Sequence, residues 1–103
     1  MIEPVLREKK RYVVFEIEGR TDYETMKEKI FKEALTFLGQ KGTGEAGIIF
    51  LPELWNGRRG VIRVKHKMTN ELKVVLGLIK DYKIKPVKTT GTLAKAKKIM
   101  TEK

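Results

Sequence analysis

Hydrophobic and polar residues alternate along residues 11–18, and this alternation predicts the first β-strand. Val13, Phe15 and Ile17 fall on one side of the strand. Alternation of β-branched and aromatic residues with polar ones is typical of a strand that is buried on one face.

Residues 21–39 carry apolar side chains at helical spacing. Met26, Ile30, Ala34 and Phe37 share one face of a predicted helix. The helix begins with a capping box, in which Thr21 precedes Glu24 by three residues. Residues 39–47 contain four glycines and predict a mobile loop.

The remaining chain predicts two more strands, a helix, a fourth strand and a third helix. The predicted strands are residues 47–51, 61–66 and 86–90, with a tight turn at Asn56-Gly57 between the first two. Thr69 is predicted to cap the second helix, which runs to Asp81, and Thr92 to cap the third.

The element order βαββαβ followed by α predicts an α+β fold of the ferredoxin-like type, which RNA recognition motifs share. Four antiparallel strands form one sheet, and both long helices lie on one face of it. The other face is expected to be uncovered, with Arg63 and Lys65 pointing outward beside Tyr12.

Length and composition limit the kinds of function. The 103 residues predict one domain (residues 12–103) preceded by a basic arm (residues 1–11). The absence of cysteine excludes disulfides and thiolate metal sites, and a single histidine argues against a histidine-based centre. No apolar run approaches the roughly 18 residues of a membrane span. We expect a cytoplasmic protein with no membrane role.

The net charge of +10 is concentrated in two places. Residues 55–103 hold 14 lysines and arginines against 3 acidic residues, whereas residues 1–54 hold 9 against 10. Within the first half, the cations cluster in the basic arm. A segregated positive field attracts polyanions, so the distribution favours nucleic-acid binding over a merely solvated surface.

The third strand indicates how nucleic acid is bound. RNA recognition motifs place aromatic rings at alternate positions after a Lys/Arg-Gly pair. Here Arg59-Gly60 is followed by Val61, Arg63 and Lys65. Cations without rings favour phosphate contacts over base stacking, and Tyr12 is the ring best placed to stack.

The predicted RNA-binding set joins these cations to the amides that open the third helix, where a phosphate is favoured. The set is Arg7, Lys9, Lys10, Arg11, Tyr12, Arg58, Arg59, Arg63, Lys65, Lys88, Gly91 and Thr92. His66 is interpreted as structural, and no catalytic or metal-binding residues are predicted.

Both long helices have apolar arcs wider than one sheet face requires. A protein partner is predicted to contact Phe31, Leu35, Val74, Leu78 and Trp55. Two alternatives stay open. In the first, helix–helix contact or the third helix covers the apolar arcs. In the second, which concerns Trp55 alone, this residue closes the core from the hairpin end.

Three blocks of sequence resemble one family. They are LREKKRYVVFEI at residues 6–17, GVIRVK at residues 60–65 and TTGTL at residues 89–93. In this order they are similar to the small ribonuclease P protein subunit shared by archaea and eukaryotes, of the component 2 type, and we interpret the chain as an archaeal member.

The resemblance implies a non-catalytic subunit of the enzyme that removes the 5′ leader from precursor tRNA. The ribonuclease P RNA, using Mg²⁺, is expected to perform the hydrolysis, with no cofactor bound by the protein itself. The expected protein partners are a TIM-barrel-like ribonuclease P subunit and a second copy of this chain, in a two-plus-two heterotetramer.

Two other classes are compatible with the fold. One is a ferredoxin-like module for small-ligand binding or oligomerisation, with no role in RNA binding. The other is a hydrolase of the acylphosphatase type, for which Gly19-Arg20 is a poor match to the required arginine loop.

Overall fold

The computed structural model describes residues 9–80 and 82–101, which form one antiparallel sheet with helices on both faces. The elements are β1 (Lys10–Ile17), α1 (Tyr23–Ala46), β2 (Ile49–Phe50), β3 (Arg59–Lys65), α2 (Thr69–Leu78), β4 (Ile84–Thr90) and α3 (Leu93–Met100). The strand order is β2-β3-β1-β4, and β1 pairs antiparallel with both of its neighbours. This is the ferredoxin-like arrangement, so the predicted fold class is confirmed.

The main hydrophobic core lies between the sheet and the two long helices. Val13, Phe15 and Ile17 of β1 are buried in it, as the alternation predicts. Met26 and Ile30 of α1 cover them, together with Leu72 and Leu76 of α2. Full burial of one such aliphatic side chain contributes about 1.5–3 kcal/mol, so this layer supplies most of the stability of the fold.

Trp55 closes the core at the β2–β3 connection. Its ring stacks on Phe15 with 6.0 Å between centroids, and its indole N–H donates to the carbonyl oxygen of Thr21 at 3.1 Å. A Cβ atom at Gly60 would lie 2.8 Å from both rings, so the glycine is required for this packing. Trp55 therefore has the core-closing role, one of the two considered for it.

The start of α1 differs from the predicted capping box. The N-cap is Asp22, not Thr21: its carboxylate accepts from the Thr25 N–H at 3.1 Å and from the Thr25 hydroxyl at 2.7 Å. The Thr25 hydroxyl holds the pKa of Asp22 below its ordinary value. An aspartate satisfies the exposed amides of a first turn better than threonine does.

The predicted glycine-rich loop is wrong, because α1 resumes after a break. The backbone leaves the helical conformation at Gly39 (φ 76°, ψ 173°), and a second helical segment then runs to Ala46. The Thr43 hydroxyl donates to the carbonyl oxygen of Ala34 at 3.1 Å and ties this segment to the first. Gly47 ends it in the left-handed conformation.

Smaller boundaries also differ from the prediction, and β3 and β4 each begin two residues earlier than predicted, at Arg59 and Ile84. β2 is only Ile49–Phe50, because a 3-10 turn begins at Pro52. Thr69 lies inside the first turn of α2 and donates to the carbonyl oxygen of His66, while Met68 is the N-cap and makes no side-chain cap. The helix ends at Leu78, before the predicted Asp81.

The prediction of an uncovered outer sheet face is wrong, because α3 packs on that face. Val14 and Val61 point outward and are buried against Ala96 and Ile99 of α3. The outward valines provide the physical reason, since they form an apolar strip at the centre of the face. Each turn of the otherwise basic α3 supplies one apolar residue to cover it.

Arg59 joins the sheet to the end of α3. Its Nε–H donates to Glu16 Oε1 at 2.8 Å, and its Nη1–H donates to the carbonyl oxygen of Ile99 at 3.0 Å. The hydrogen bond from Arg59 lowers the pKa of Glu16, and the charge of Arg58, 3.8 Å away, acts in the same direction. Arg59 thus stabilises the C-terminal end of α3, where a cation is favoured.

Replacing Glu16 by glutamine is expected to reduce the free energy of unfolding by about 1 kcal/mol at neutral pH, because the charge-assisted bond to Arg59 is lost. The folded-state pKa of Glu16 is depressed, so the stabilisation is present above the unfolded-state pKa. It is lost as the pH falls through the folded-state pKa. The difference between wild type and variant should therefore shrink towards about pH 3 in urea unfolding.

The control is Glu53→Gln, a change at an exposed carboxylate on the 3-10 turn. It should leave the free energy of unfolding nearly unchanged at both pH values. A loss in Glu16→Gln that is equally large in acid would contradict the assigned role of the carboxylate.

Candidate nucleic-acid interface

Cations from two neighbouring strands meet at one end of the sheet. Because β1 and β3 are antiparallel, the first residue of β1 lies beside the last residue of β3, and Lys10 is directly opposite Lys65. The turn after β3 adds two exposed residues. We call this set the basic end: Lys9, Lys10, Arg11, Lys65, His66 and Lys67. Like charges in such proximity raise the local positive potential and favour an anionic partner.

The connection between β4 and α3 lies at the same end. Thr92 is the N-cap of α3, as predicted, and its hydroxyl oxygen accepts from the Lys95 N–H at 3.3 Å. Gly91 is next to the guanidinium of Arg11, since a Cβ atom there would be 3.2 Å from Nη1. Lys88 is exposed two residues before β4 ends. These three predicted residues therefore adjoin the basic end.

Arg58 and Arg59 lie at the opposite end of the sheet. Arg59 is paired with Glu16, six positions along β1 from the Lys10–Lys65 pair. At about 3.3 Å per residue, the two ends are about 20 Å apart. Both arginines contact the Glu16 carboxylate. The structure thus separates these two arginines from the other cations of the predicted RNA-binding set.

Tyr12 and Arg63 face each other on the outer side of the sheet, and both are half-buried. Tyr12 packs against the apolar cluster under α3. The Nε atom of Arg63 is buried without a hydrogen-bond partner among the described residues. Ile49, which is exposed, lies opposite Arg63 on β2. The ring and the guanidinium therefore adjoin the basic end without forming an open aromatic platform.

The basic arm lies largely outside the described residues, and Arg7 is among those not described. Lys9 is exposed, and its carbonyl oxygen accepts from the His66 N–H at 2.7 Å. This bond extends the pairing of β1 with the chain after β3. It places His66 at the basic end, where the backbone of the histidine has a structural role.

A cleft of about 350 Å³ opens at the basic end, on the side of the long helices. It is lined by Arg11, His66, Lys67, Thr69, Asn70 and Thr89. Two other clefts of similar size contain carboxylates beside their cations. Glu16 and Glu18 line the one at the opposite end of the sheet, and Glu33 lines the one between α1 and α2. Of these three clefts, the one at the basic end is best suited to an anion.

Sequence reasoning missed Lys67, Asn70 and Thr89 as members of this site. Lys67 and Asn70 come directly after β3, and Thr89 lies near the end of β4. The predicted ferredoxin-like fold already implies that these two strand ends lie beside the start of β1. That topology was the available signal, whereas residue type alone singled out none of the three.

Apolar side chains are exposed on the two long helices. Phe31 of α1 is 45% exposed, and Val74 and Leu78 of α2 are 47% and 40% exposed. Leu35 is half-buried. Phe37 is 47% exposed, so its predicted place on the buried face with Met26 and Ile30 is wrong. We call Phe31, Leu35, Phe37, Val74 and Leu78 the helix patch. Neither helix–helix contact nor α3 covers it, since α3 lies on the opposite face of the sheet.

The part of the chain that the structure describes contains no group of three or more His, Cys, Asp or Glu side chains able to hold a metal ion. No helix within it is long and apolar enough to cross a membrane. Arg20, the residue considered for an acylphosphatase-type loop, donates to the carbonyl oxygen of Asn56 at 3.4 Å.

Comparison with known proteins identifies relatives of this chain. Ribonuclease P protein component 2 of Methanocaldococcus jannaschii is 33% identical, over 93% of this chain and 75% of that protein. The component 2 proteins of Pyrococcus horikoshii and Thermococcus gammatolerans are 28% and 30% identical, over 94% and 78% of this chain and 87% and 68% of their own lengths. The model of the Rpp14/Pop5 family matches residues 11–101. The chain belongs to the Rpp14/Pop5 family.

Proposed function

We propose that this chain is a protein component of ribonuclease P that binds and stabilises the catalytic RNA during removal of the 5′ leader from precursor tRNA. The names of the archaeal relatives support the assignment to ribonuclease P. The net charge of +10 supports RNA as the molecule that the chain binds. We place the complex in the cytoplasm.

The observation that carries this proposal is the basic end. Cations of two strands converge there, beside the start of α2 and the capped start of α3. The Nε atom of Arg63 and the hydroxyl of Thr89, both buried without a partner among the described residues, lie near the same end. A phosphate group supplies acceptors for such donors and offsets the repulsion between neighbouring cations.

In this proposal the RNA subunit performs the hydrolysis with its own Mg²⁺. The protein neutralises phosphates where RNA segments approach one another, which otherwise requires a high concentration of cations. Its contribution is to the folded state of the RNA and not to the reacting bond. The basic end therefore acts as a fixed set of counterions.

The test of the proposal is reconstitution with the catalytic RNA and the partner subunit. Adding this chain should lower the Mg²⁺ concentration needed for half-maximal cleavage of precursor tRNA, because protein cations replace part of the ion atmosphere. The protein without RNA should not cleave. Cleavage by protein that contains no RNA, or a magnesium requirement unchanged by the protein, would contradict the proposal.

Neutralising one cation of the basic end, or Arg63 beside it, should weaken binding to unrelated structured RNAs by a similar factor. Lys10→Ala and Arg63→Ala are each expected to reduce the slope of log affinity against log salt by about one unit, the effect of one lost phosphate contact. A salt titration on the catalytic RNA and on a scrambled structured RNA measures both quantities.

The matched control is Lys83→Ala, which removes an exposed cation from the opposite end of the sheet. It should leave the slope unchanged. A loss confined to the catalytic RNA with an unchanged slope would mean that the substituted residue reads a base. If wild type and all the variants have the same slope of log affinity against log salt, the basic end does not contact RNA phosphates.

We further propose that the helix patch contacts protein. The expected partners are the TIM-barrel-like subunit and a second copy of this chain, in a two-plus-two assembly. The exposure of Phe31, Val74 and Leu78 supports this, since a protein partner would bury apolar side chains that the single chain leaves in contact with water. The helix patch and the basic end have no residue in common.

The double substitution Val74→Asp with Leu78→Asp should abolish binding to the partner subunit, because two carboxylates would be buried in an apolar contact. The melting transition should stay cooperative, since both positions are exposed in the single chain. Val87→Asp, at an exposed apolar residue of β4, is the control and should leave binding intact. Loss of folding in the double variant would assign the patch to the core.

A further inference from the structure

We propose that the cleft at the basic end receives one ribose-phosphate unit of RNA and that Thr89 contacts its 2′-hydroxyl. This inference rests on the proposed RNA-binding function and adds to it a specific site and a preference for RNA over DNA. The cleft volume of about 350 Å³ suits a group of nucleotide size.

The charged side of the cleft fits the phosphate. Arg11 and Lys67 line it together with His66, and none of its lining residues is a carboxylate. The guanidinium of Arg11 is held beside Gly91 and donates to the carbonyl oxygen of Lys10 at 3.3 Å. Its position is therefore set before any ligand binds, which reduces the entropy lost on binding.

The neutral side of the cleft fits a sugar hydroxyl. Thr69, Asn70 and Thr89 supply two hydroxyls and one amide. The Thr69 hydroxyl already donates to the carbonyl oxygen of His66 at 2.8 Å, so its oxygen is left as an acceptor. The Thr89 hydroxyl is buried and has no partner among the described residues. Of the three groups, Thr89 gains most from a ligand that both donates and accepts.

A ribose 2′-hydroxyl has this dual capacity and lies close to the backbone phosphate. The 2′-hydroxyl is the group by which proteins distinguish RNA from DNA at a given site. A cleft that combines cations with an unpaired hydroxyl therefore binds the two adjoining groups of one nucleotide. The cations bind the phosphate of either nucleic acid, whereas the Thr89 contact is specific to RNA.

The test compares Thr89→Val with wild type on an RNA hairpin and on the DNA hairpin of the same sequence. Valine keeps the shape of threonine but removes the hydroxyl, so RNA affinity should fall about two- to tenfold, the usual effect of one hydrogen bond. DNA affinity should not change. Thermal melting of the variant should match or exceed that of wild type, because the deleted hydroxyl makes no bond within the described part of the protein.

Thr89→Ser is the matched control, since it keeps the hydroxyl, and it should retain the wild-type preference for RNA. Arg11→Gln removes a charge from the same cleft and should weaken RNA and DNA binding alike. An equal loss on both hairpins in Thr89→Val, or no loss on either, would overturn the sugar contact. Unchanged affinity in Arg11→Gln would overturn the cleft as a phosphate site.

These outcomes are separate from failure of the proposed function. If wild-type protein binds the RNA hairpin and the cleft variants bind equally well, the cleft inference is wrong and RNA binding stands. If wild-type protein does not bind the hairpin even at low salt, RNA binding through phosphate contacts is itself contradicted.

Discussion

The antiparallel pairing of β1 with both β3 and β4 determines which of the described cations lie together at one end of the sheet. This pairing brings the start of β1 to the ends of its two neighbours, so three chain segments meet at one end of the sheet. The helices α2 and α3 follow those two strands and therefore begin at the same end of the sheet. The basic end is thus a consequence of topology, because the cations involved are distant in sequence. A one-residue slip in register would move these cations to the opposite face and expose the valines that α3 covers.

The fold places two lysines opposite each other at that end of the sheet. Lys10 and Lys65 are directly opposite each other, a cross-strand pairing of like charges that destabilises a sheet. At the other end, Glu16 accepts from Arg59, and the local charges are balanced. The ion pair therefore lies at the end of the sheet that holds the C-terminus of α3, and the like-charge pair at the end that we assign to RNA. In the complex that we propose, a phosphate beside Lys10 and Lys65 would offset the repulsion between their two ammonium groups.

The sequence predicts the fold through local patterns that tertiary packing reinforces. The alternation of Val13, Phe15 and Ile17 determines the buried face of β1, and the element order then allows few other topologies. Two predictions were wrong because they depend on contacts between distant residues, which a local sequence pattern does not show. The glycines after Leu38 predicted a loop, but the Thr43–Ala34 bond joins a second helical segment to the first. The position of α3 depends on Val14 and Val61, which are brought side by side only when β1 and β3 pair. The same limit explains why the predicted RNA-binding set included Arg58 and Arg59, since charge and sequence proximity say nothing about which end of a sheet a residue occupies.

The covering of the outer face by α3 has a consequence for the mode of RNA binding. An RNA recognition motif needs an open sheet on which bases stack, but here Val14 and Val61 lie under Ala96 and Ile99. The basic end remains accessible. Cations and small polar groups meet there, and contacts to phosphate and sugar are expected to dominate. Such contacts depend on backbone shape more than on sequence, which suits a protein that braces a folded RNA. The helix patch lies on the other layer of the molecule, and α2 spans about 15 Å from the basic end to Leu78. One short helix therefore connects the surface that we assign to RNA with the surface that we assign to protein.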